Sequence, residues 1–410
     1  MFEVRLITRE EIADFIRIHS MVYGRHASDT YFRQANERFD EQRDIGAFDG
    51  DTLIASSVIH DLRLTLPGGA TERLGGITNV AVQPTHRRRG VLTGLMRDHM
   101  TRLHKDGIDF AILWASESLI YNRFGYGLST WVERWRIEKP YVAMHPARAG
   151  EAPSNSTIEY VDADTARAEW PDVMARAMAG RPGFFPRTRA QWETFHEDDP
   201  ATRDGASAFF HIVYRVDGRI EGTATYRVAN HWPERIMANE IRVRELMATT
   251  DEAARALWSF IFSIDLSAEI SADLRPLDDP LPWMLRDPRR LRRVVQDGSW
   301  LRLVDVRSAL ERRAYTATDS IVLNVRDAFC EWNAGRVRLD VSPEGARCTS
   351  TTDAPDLTVE AWALASVYLG GTRPSTIAHA RGVEEHTPGA VARADAIFAT
   401  DRAPWTPVFF

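Results

Sequence analysis

The stretch TNVAVQPTHRRRGVLTGLMRDHM, Thr78 to Met100, passes from a β-like run through a basic loop into an amphipathic helix. Within that helix Leu92, Leu95, Met96, His99, Met100 and Leu103 share one face, and Arg97, Asp98 and Arg102 lie outside it. Gly107 ends the helix, and IDFAILWA follows as a buried strand. A strand that delivers a loop to a helix N-terminus prepares an anion site, because the first-turn N–H groups lack helical partners and the helix dipole adds partial positive charge. Arg87, Arg88 and Arg89 supply forked cationic donors, and Gly90 lets a phosphate approach the main chain. The physical reading is a pyrophosphate site. A solvated basic turn competes with it, and for an isolated RRRG would be the better reading. The loop is neither a Walker A sequence, lacking GxxxxGK[ST], nor a dinucleotide fingerprint, lacking GxGxxG.

Outward from this stretch, 410 residues exceed what one core usually covers, which predicts two or three domains. Hydrophobic residues at 44% and charged residues at 27% exclude a disordered chain, and no apolar run approaches the roughly 20 residues of a membrane span. FEVRLITREE reads as a strand followed by a helix start rather than a signal peptide, so the expected location is the cytoplasm. Cys330 and Cys348 are too few and too far apart for a disulfide framework. A net charge of −7 disfavours general nucleic-acid binding and tolerates a cationic substrate, so HRRRG and RDPRRLRR need local explanations.

An α/β (α+β) organisation follows. Residues 1–140 alternate helices and strands: EEIADFIRIHSMVYG reads as helical, and DIGAFDGDTLIASSVIHDLRLTL as strands paired around Asp49-Gly50. HPARAGEAPSNST reads as a linker. Residues 141–285 repeat the order, with FFHIVYRVDGRIEGTATYRV a hairpin about Asp217-Gly218 and RIMANEIRVRELMATTDEAARALWSFIFSID a strand running into a helix. From 286 to 410 come the strands SIVLNVRD, GRVRLDV and ARCTST, the helical TVEAWALASVYLGG and an aromatic end, AIFATDRAPWTPVFF. Burying Trp405, Phe409 and Phe410 would yield roughly 1.5–3 kcal/mol each, so this end is expected to be received by the fold.

The loop resembles the acetyl-CoA loop of the GNAT acetyltransferase superfamily, with Arg87, Gly90 and Leu92 in its frame and Leu92 departing from the usual small residue. FAILWASESLIYNRFGYG is similar to the next strand and helix of that superfamily. Together with DPLP, QDGSWLRLVDV, VYLGG followed by Ser375-Thr376, and a C-terminal Phe, the chain resembles the enhanced-intracellular-survival (Eis) family of N-acetyltransferases along nearly its whole length. That resemblance implies two GNAT-like regions in tandem, only the first with the acetyl-CoA motif, then a sterol-carrier-protein-like domain, assembled as a homohexamer.

The resemblance also implies roles. Main-chain groups around Val80, Ala81 and Val82 would hold the pantetheine arm and thioester, Arg87, Arg88, Gly90 and Val91 the pyrophosphate, and Ser116 would contact acetyl-CoA as well. Tyr121 matches the general acid, with Tyr126 its rival by spacing but read as a packed Tyr. The α-carboxylate of Phe410 matches the base, with Trp405 and Phe409 expected to anchor it; Phe409 stands where an acidic residue can precede the final Phe. Acceptors implied are primary amines of cationic molecules, aminoglycosides or lysine side chains, which would need a broad acidic cleft. The helix DFIRIHSMVYGRHASDTYF is expected to contribute to it, through Tyr23, Asp29 and Tyr31.

Other chemistries fit poorly. GxSxG and HExxH are absent, and HEDDP at His196 breaks the zinc-helix pattern. His19, His60, His86 and His99 are read as surface or core residues, and no metal is expected. A reading of another class keeps the fold without the enzyme, as a ligand-binding or interaction protein using the sterol-carrier-like domain. A third is transfer of longer acyl chains.

Overall fold

The computed structural model describes residues 2–24, 26–146, 155–236 and 238–410. The first run holds β1 (Phe2–Leu6), α1 (Ile12–Val22), α2 (Asp29–Arg38), β2 (Asp44–Asp49), β3 (Thr52–Thr65), β4 (Thr71–Val82), α3 (Val91–Lys105), β5 (Phe110–Trp114) and the short β6 (Gly127–Leu128). Next come β7 (Trp131–Glu138), β8 (Ser156–Val161), α4 (Ala163–Ala177), α5 (Arg189–His196), β9 (Phe210–Val216), β10 (Arg219–Ala229), β11 (Asn239–Ala248), α6 (Asp251–Ser263), β12 (Ser267–Arg275), α7 (Leu281–Met284) and β13 (Arg292–Asp297). The last run holds β14 (Ser299–Leu303), α8 (Val306–Arg312), β15 (Asp319–Arg326), β16 (Gly335–Ser342), β17 (Gly345–Ser350), β18 (Leu357–Glu360), α9 (Ala361–Tyr368), α10 (Pro374–His379), β19 (Val383–Glu385) and α11 (Ala390–Ile397). Among the described residues no helix is long and apolar enough to cross a membrane.

Three sheets form, with strand orders β1-β2-β3-β4-β5-β14-β6, β13-β7-β12-β11-β10-β9-β8 and β17-β16-β15-β18-β19. Adjacent residues of β3 face opposite layers: Val58 packs with α1, and Ile59 with Met96, Met100 and Leu103 of α3. The predicted hairpin about Asp217-Gly218 is present, and both turn residues have positive φ, as the tight turn between twisted strands requires.

The first two sheets exchange edges. β7 leaves the first sheet to pair with β12 and β13, while β14 returns to sit between β5 and β6. Both stretches of the chain switch sheets at one point. There the Ser299 N–H donates to Thr130 Oγ1 at 2.7 Å, Ser129 Oγ donates to the Ser299 carbonyl at 2.9 Å, and all three side chains are buried. Sheet hydrogen bonds therefore cross the divisions expected at residues 140 and 285, because alternation shows that a strand exists but not which sheet takes it. Of the expected linker, residues 147–154 lie outside the described residues.

Two readings of local structure change. The expected helix DFIRIHSMVYGRHASDTYF is two helices, broken at Gly24 with φ of +63° and restarted at Ser28, whose Oγ accepts from the Tyr31 N–H. TVEAWALASVYLGG begins as strand β18 and becomes α9 only from Ala361, since Val359 pairs with Val325 and Val383.

The third sheet is tied to the first through α9, which packs on β6 and β14. Beneath that contact, Arg302 of β14 pairs with Asp327, both side chains wholly buried, and Arg302 also donates to the Gly125 carbonyl at 3.4 Å. One apolar core runs through all three runs of chain, from Leu62 and Leu74 through Trp170 and Phe185 to Leu323, Tyr368 and Trp405.

Asp44, at the start of β2, is 6% exposed, and its Oδ1 has no partner among the described residues. Burial pushes its carboxyl up to about 7. An acid whose folded value is raised binds its proton more tightly in the native state, so stability falls as pH rises from the ordinary aspartate range to about 7 and is level above it. Denaturant unfolding across this window should show a loss of roughly 1–4 kcal/mol that Asp44→Asn abolishes. An unchanged slope in the variant would assign the pH dependence elsewhere.

Candidate active site

β4 and β5 run parallel, but pair only at Gly75 with Ala111 and Gly76 with Ile112. Beyond Gly76 the strands part. A bulge helps to turn β4 away: between Ser56–Ala81 and Val58–Thr78, one residue of β3 faces two of β4, and Asn79 takes φ of +53°. Val80, Ala81 and Val82 lie in this parted segment; the Ala81 side chain packs toward α1 and Val80 faces the opening.

The arginine loop follows directly. Arg87, Arg88 and Arg89 are exposed, Arg88 and Gly90 have φ of +63° and +82°, and Val91 opens α3. Gly94 N–H is bonded to the Gly90 carbonyl at 3.0 Å, so the N–H groups of the residues before it in the first turn point forward with no side-chain cap and no acidic residue in the turn. A diphosphate fits this cradle. The second unit shows the contrast. There β11 and β12 also pair in parallel and part after Val243, but the helix that follows has Asp251 and Glu252 in its first turn and Thr250 as cap. Its opened carbonyls are filled by protein: Leu246 accepts from Arg275, and Leu274 from the Trp405 indole, each at 2.9 Å.

Where β4 and β5 part lies a cavity of about 700 Å³, walled by α1, α2, α5, Ile77–Val80, Trp114–Ser116, Tyr121 and the chain end. Tyr121 is 4% exposed, its hydroxyl has no partner among the described residues, and burial raises its phenol above the ordinary range, keeping it protonated. Tyr126 packs edge-on against Tyr121, is fully buried and does not reach the cavity. Exposed Ser116 sits on the rim after β5.

The chain end threads from the second unit to this cavity. Trp405 is buried with its N–H on the Pro182 carbonyl, the Val408 carbonyl accepts from the Trp114 indole at 3.1 Å, and a Phe410 carboxyl oxygen accepts from Thr78 Oγ1 at 3.2 Å. The Phe410 ring lies edge-on to Phe185 and His60 and over Gly76, where an added Cβ would come within 3.1 Å of it. Phe409 does not anchor the end as expected. It is 67% exposed with its ring against Trp114, and the anchoring falls to Trp405, Val408 and the Phe410 ring.

Tyr23 and Tyr31 both line the cavity; the Tyr31 hydroxyl bonds His19 Nδ1 at 2.9 Å, and Tyr23 lies 3.5 Å from the Val80 carbonyl. Asp29 is exposed in the first turn of α2, where its charge suits the helix dipole, and does not line the cavity. Among the described residues the cavity is not the expected acidic cleft. Arg38, Arg187 and Arg244 face Asp44 and Asp297, beside a neutral His60 that burial, aided by Arg38 and Arg43, pulls down to about 4. Apart from His60, read as a surface or core residue, these residues, with Thr78 and Trp114, escaped the sequence reading. Thr78 and Trp114 stood inside quoted motifs, but no local pattern says that a chain end meets them.

The descriptions of matching family models are an acetyltransferase (GNAT) domain at residues 3–129, a second at 183–303, and a sterol carrier protein domain at 306–407. The chain is 37% identical to an uncharacterized N-acetyltransferase of Streptomyces coelicolor over 89% of each, and 34% identical to N-acetyltransferase Eis of Mycobacterium tuberculosis over 87% of this chain and 85% of that one. The crystal structure of Eis1 from Mycobacterium abscessus superposes with a TM-score of 0.85 over 100% of both chains at 31% identity. The parted strands, the cationic loop and these likenesses agree: the chain belongs to the Eis family of GNAT N-acetyltransferases, two GNAT domains followed by a sterol-carrier-like domain.

Proposed function

We propose that the protein transfers the acetyl group of acetyl-CoA to a primary amine by direct attack, with Tyr121 as general acid and the Phe410 α-carboxylate as general base. The observation that carries this is that both groups line the one cavity opened by the parting of β4 from β5. Arg87, Arg88, Gly90 and Val91 bind the pyrophosphate, Val80 to Val82 offer main-chain groups to the pantetheine arm, and Ser116 adds a rim contact. The amine nitrogen bonds to the thioester carbonyl carbon as the C–S bond breaks. Phe410 takes the amine proton, and Tyr121 gives its phenolic proton to the departing sulfur. The carboxylate has no cation within ion-pair distance among the described residues, and Thr78 holds one oxygen. Lysine side chains and aminoglycosides are acceptors to be tested beside simpler amines, since the mixed charge of the lining favours no polycation.

Thiol release from acetyl-CoA across aminoglycosides, polyamines, lysine peptides and arylalkylamines tests the activity. Replacing both Arg87 and Arg88 by Ala should raise the acetyl-CoA KM by about tenfold or more, as expected for lost charge-assisted contacts, and an unchanged KM would remove the pyrophosphate assignment. Tyr121→Phe should lower kcat on the order of a hundredfold while sparing the acetyl-CoA KM. Extending the chain by a Gly-Ser pair keeps the Phe410 ring and moves the carboxylate, so kcat should fall; full turnover in the extended chain would rule out the carboxylate as base.

A further inference from the structure

We infer that the acceptor carries, besides its amine, an anionic group such as a carboxylate on an aromatic or otherwise apolar body, received by Arg38 and Arg244. This rests on the proposed acetyl transfer for the amine end alone.

Arg38, in the last turn of α2, is half-buried in the cavity wall. Its Nη2 donates to Gln34 Oε1 at 2.8 Å and Thr194 Oγ1 at 3.2 Å, and its Nε to the Gln34 carbonyl at 3.2 Å. Arg244 is the extra residue of a bulge in β11, where Thr225 pairs with Glu245 and Tyr226 with Val243, and its side chain stands on the exposed face of the strand. It donates from Nη1 to the Phe195 carbonyl at 2.7 Å and lies over the Phe195 and Phe209 rings. The two guanidinium groups thus rest on consecutive residues of α5, Thr194 and Phe195. Neither has a carboxylate within ion-pair distance among the described residues, and Nη1 of Arg38 with Nε and Nη2 of Arg244 have no acceptor there.

Arg187, beside them, shows what a satisfied arginine looks like here: both of its terminal nitrogens reach Glu245. Arg244 is open to the cavity, and desolvation, with Arg187 nearby, pulls it down to about 10. A cation in this setting gains most from an anion that enters with its own geometry. The cavity that holds the arginines and Tyr121 is also lined by aromatic rings, among them Phe15, Tyr31, Phe39, Trp114 and Phe195. The cavity's own acids offer a cation little: Asp297 accepts from the Trp300 indole at 3.0 Å, burial pushes the Asp44 carboxyl up to about 7 so that it ionises only in part at neutral pH, and the Phe410 carboxylate is needed at the amine. A polycation would set its further charges against Arg38 and Arg244, whereas a molecule with an amine at one end and an anion at the other matches both ends.

Calorimetry of the full chain with para-(aminoethyl)benzoate and with phenylethylamine, which differ only in the carboxylate, tests this. The carboxylated amine should bind about tenfold tighter or more, the worth of a charge-assisted contact. The ratio should fall toward one in Arg38→Gln and in Arg244→Gln, and recover in part in Arg38→Lys. Absent or equal binding of the pair, or tighter binding of spermidine than of either, would falsify the inference. Thiol release with the same compounds separates the two claims. Carboxylate-dependent binding without turnover of any amine defeats the acetyl-transfer reading and leaves the anion site standing. Turnover indifferent to the carboxylate defeats the anion site and leaves the acetyl transfer.

Discussion

When two parallel strands in a protein interior stop bonding to each other, the main-chain groups they release must be paired by something else. This constraint is met twice in the molecule and answered in two ways. Beyond Val243 the parted strands of the second unit are filled from within, by Arg275 on Leu246 and by Trp405 on Leu274. Beyond Gly76 the first unit leaves its gap open to a cavity, with a cationic loop and an uncapped helix start beside it. The same chain end serves both places, closing one gap with an indole and delivering a carboxylate to the other.

The sterol-carrier-like domain accordingly acts on the first unit from two sides. From below, Asp327 neutralises Arg302, whose guanidinium lies where a Cβ on Gly125 would be, four residues after Tyr121. Removing one member of so buried a pair typically costs about 3–5 kcal/mol because the other charge is stranded, which makes the turn carrying Tyr121 dependent on a distant domain. From above, the tail brings Phe410 to Thr78. Acid and base in the proposed reaction are thus both placed by residues beyond the GNAT units themselves.

Local chemistry was legible in the sequence. The amphipathic α3, the Asp217-Gly218 turn and the arginine loop followed from periodicity, turn preference and the unpaired N–H groups of a helix start. The resemblance added Tyr121 and Phe410, and both stand at the cavity. Non-local pairing was not legible. Nothing in WVERWRIE or SWLRL says which sheet will take it, and Arg244 reads as an outward residue of an alternating strand, with no local sign that its face borders the cavity. The break at Gly24 and the cap at Ser28 were not legible either, and they leave Asp29 exposed in the first turn of α2 while Tyr31 of the same helix lines the cavity.

The crossing at Thr130 and Ser299 bears on how the molecule can be made. As the chain leaves the ribosome, β5 has one edge paired to β4 at two positions and the other edge bare, and its partner β14 is synthesised only after the entire second unit. The first unit therefore cannot mature before the second. The nascent chain must shelter an unpaired strand edge until β14 has been made, and each unit supplies a strand that completes the other.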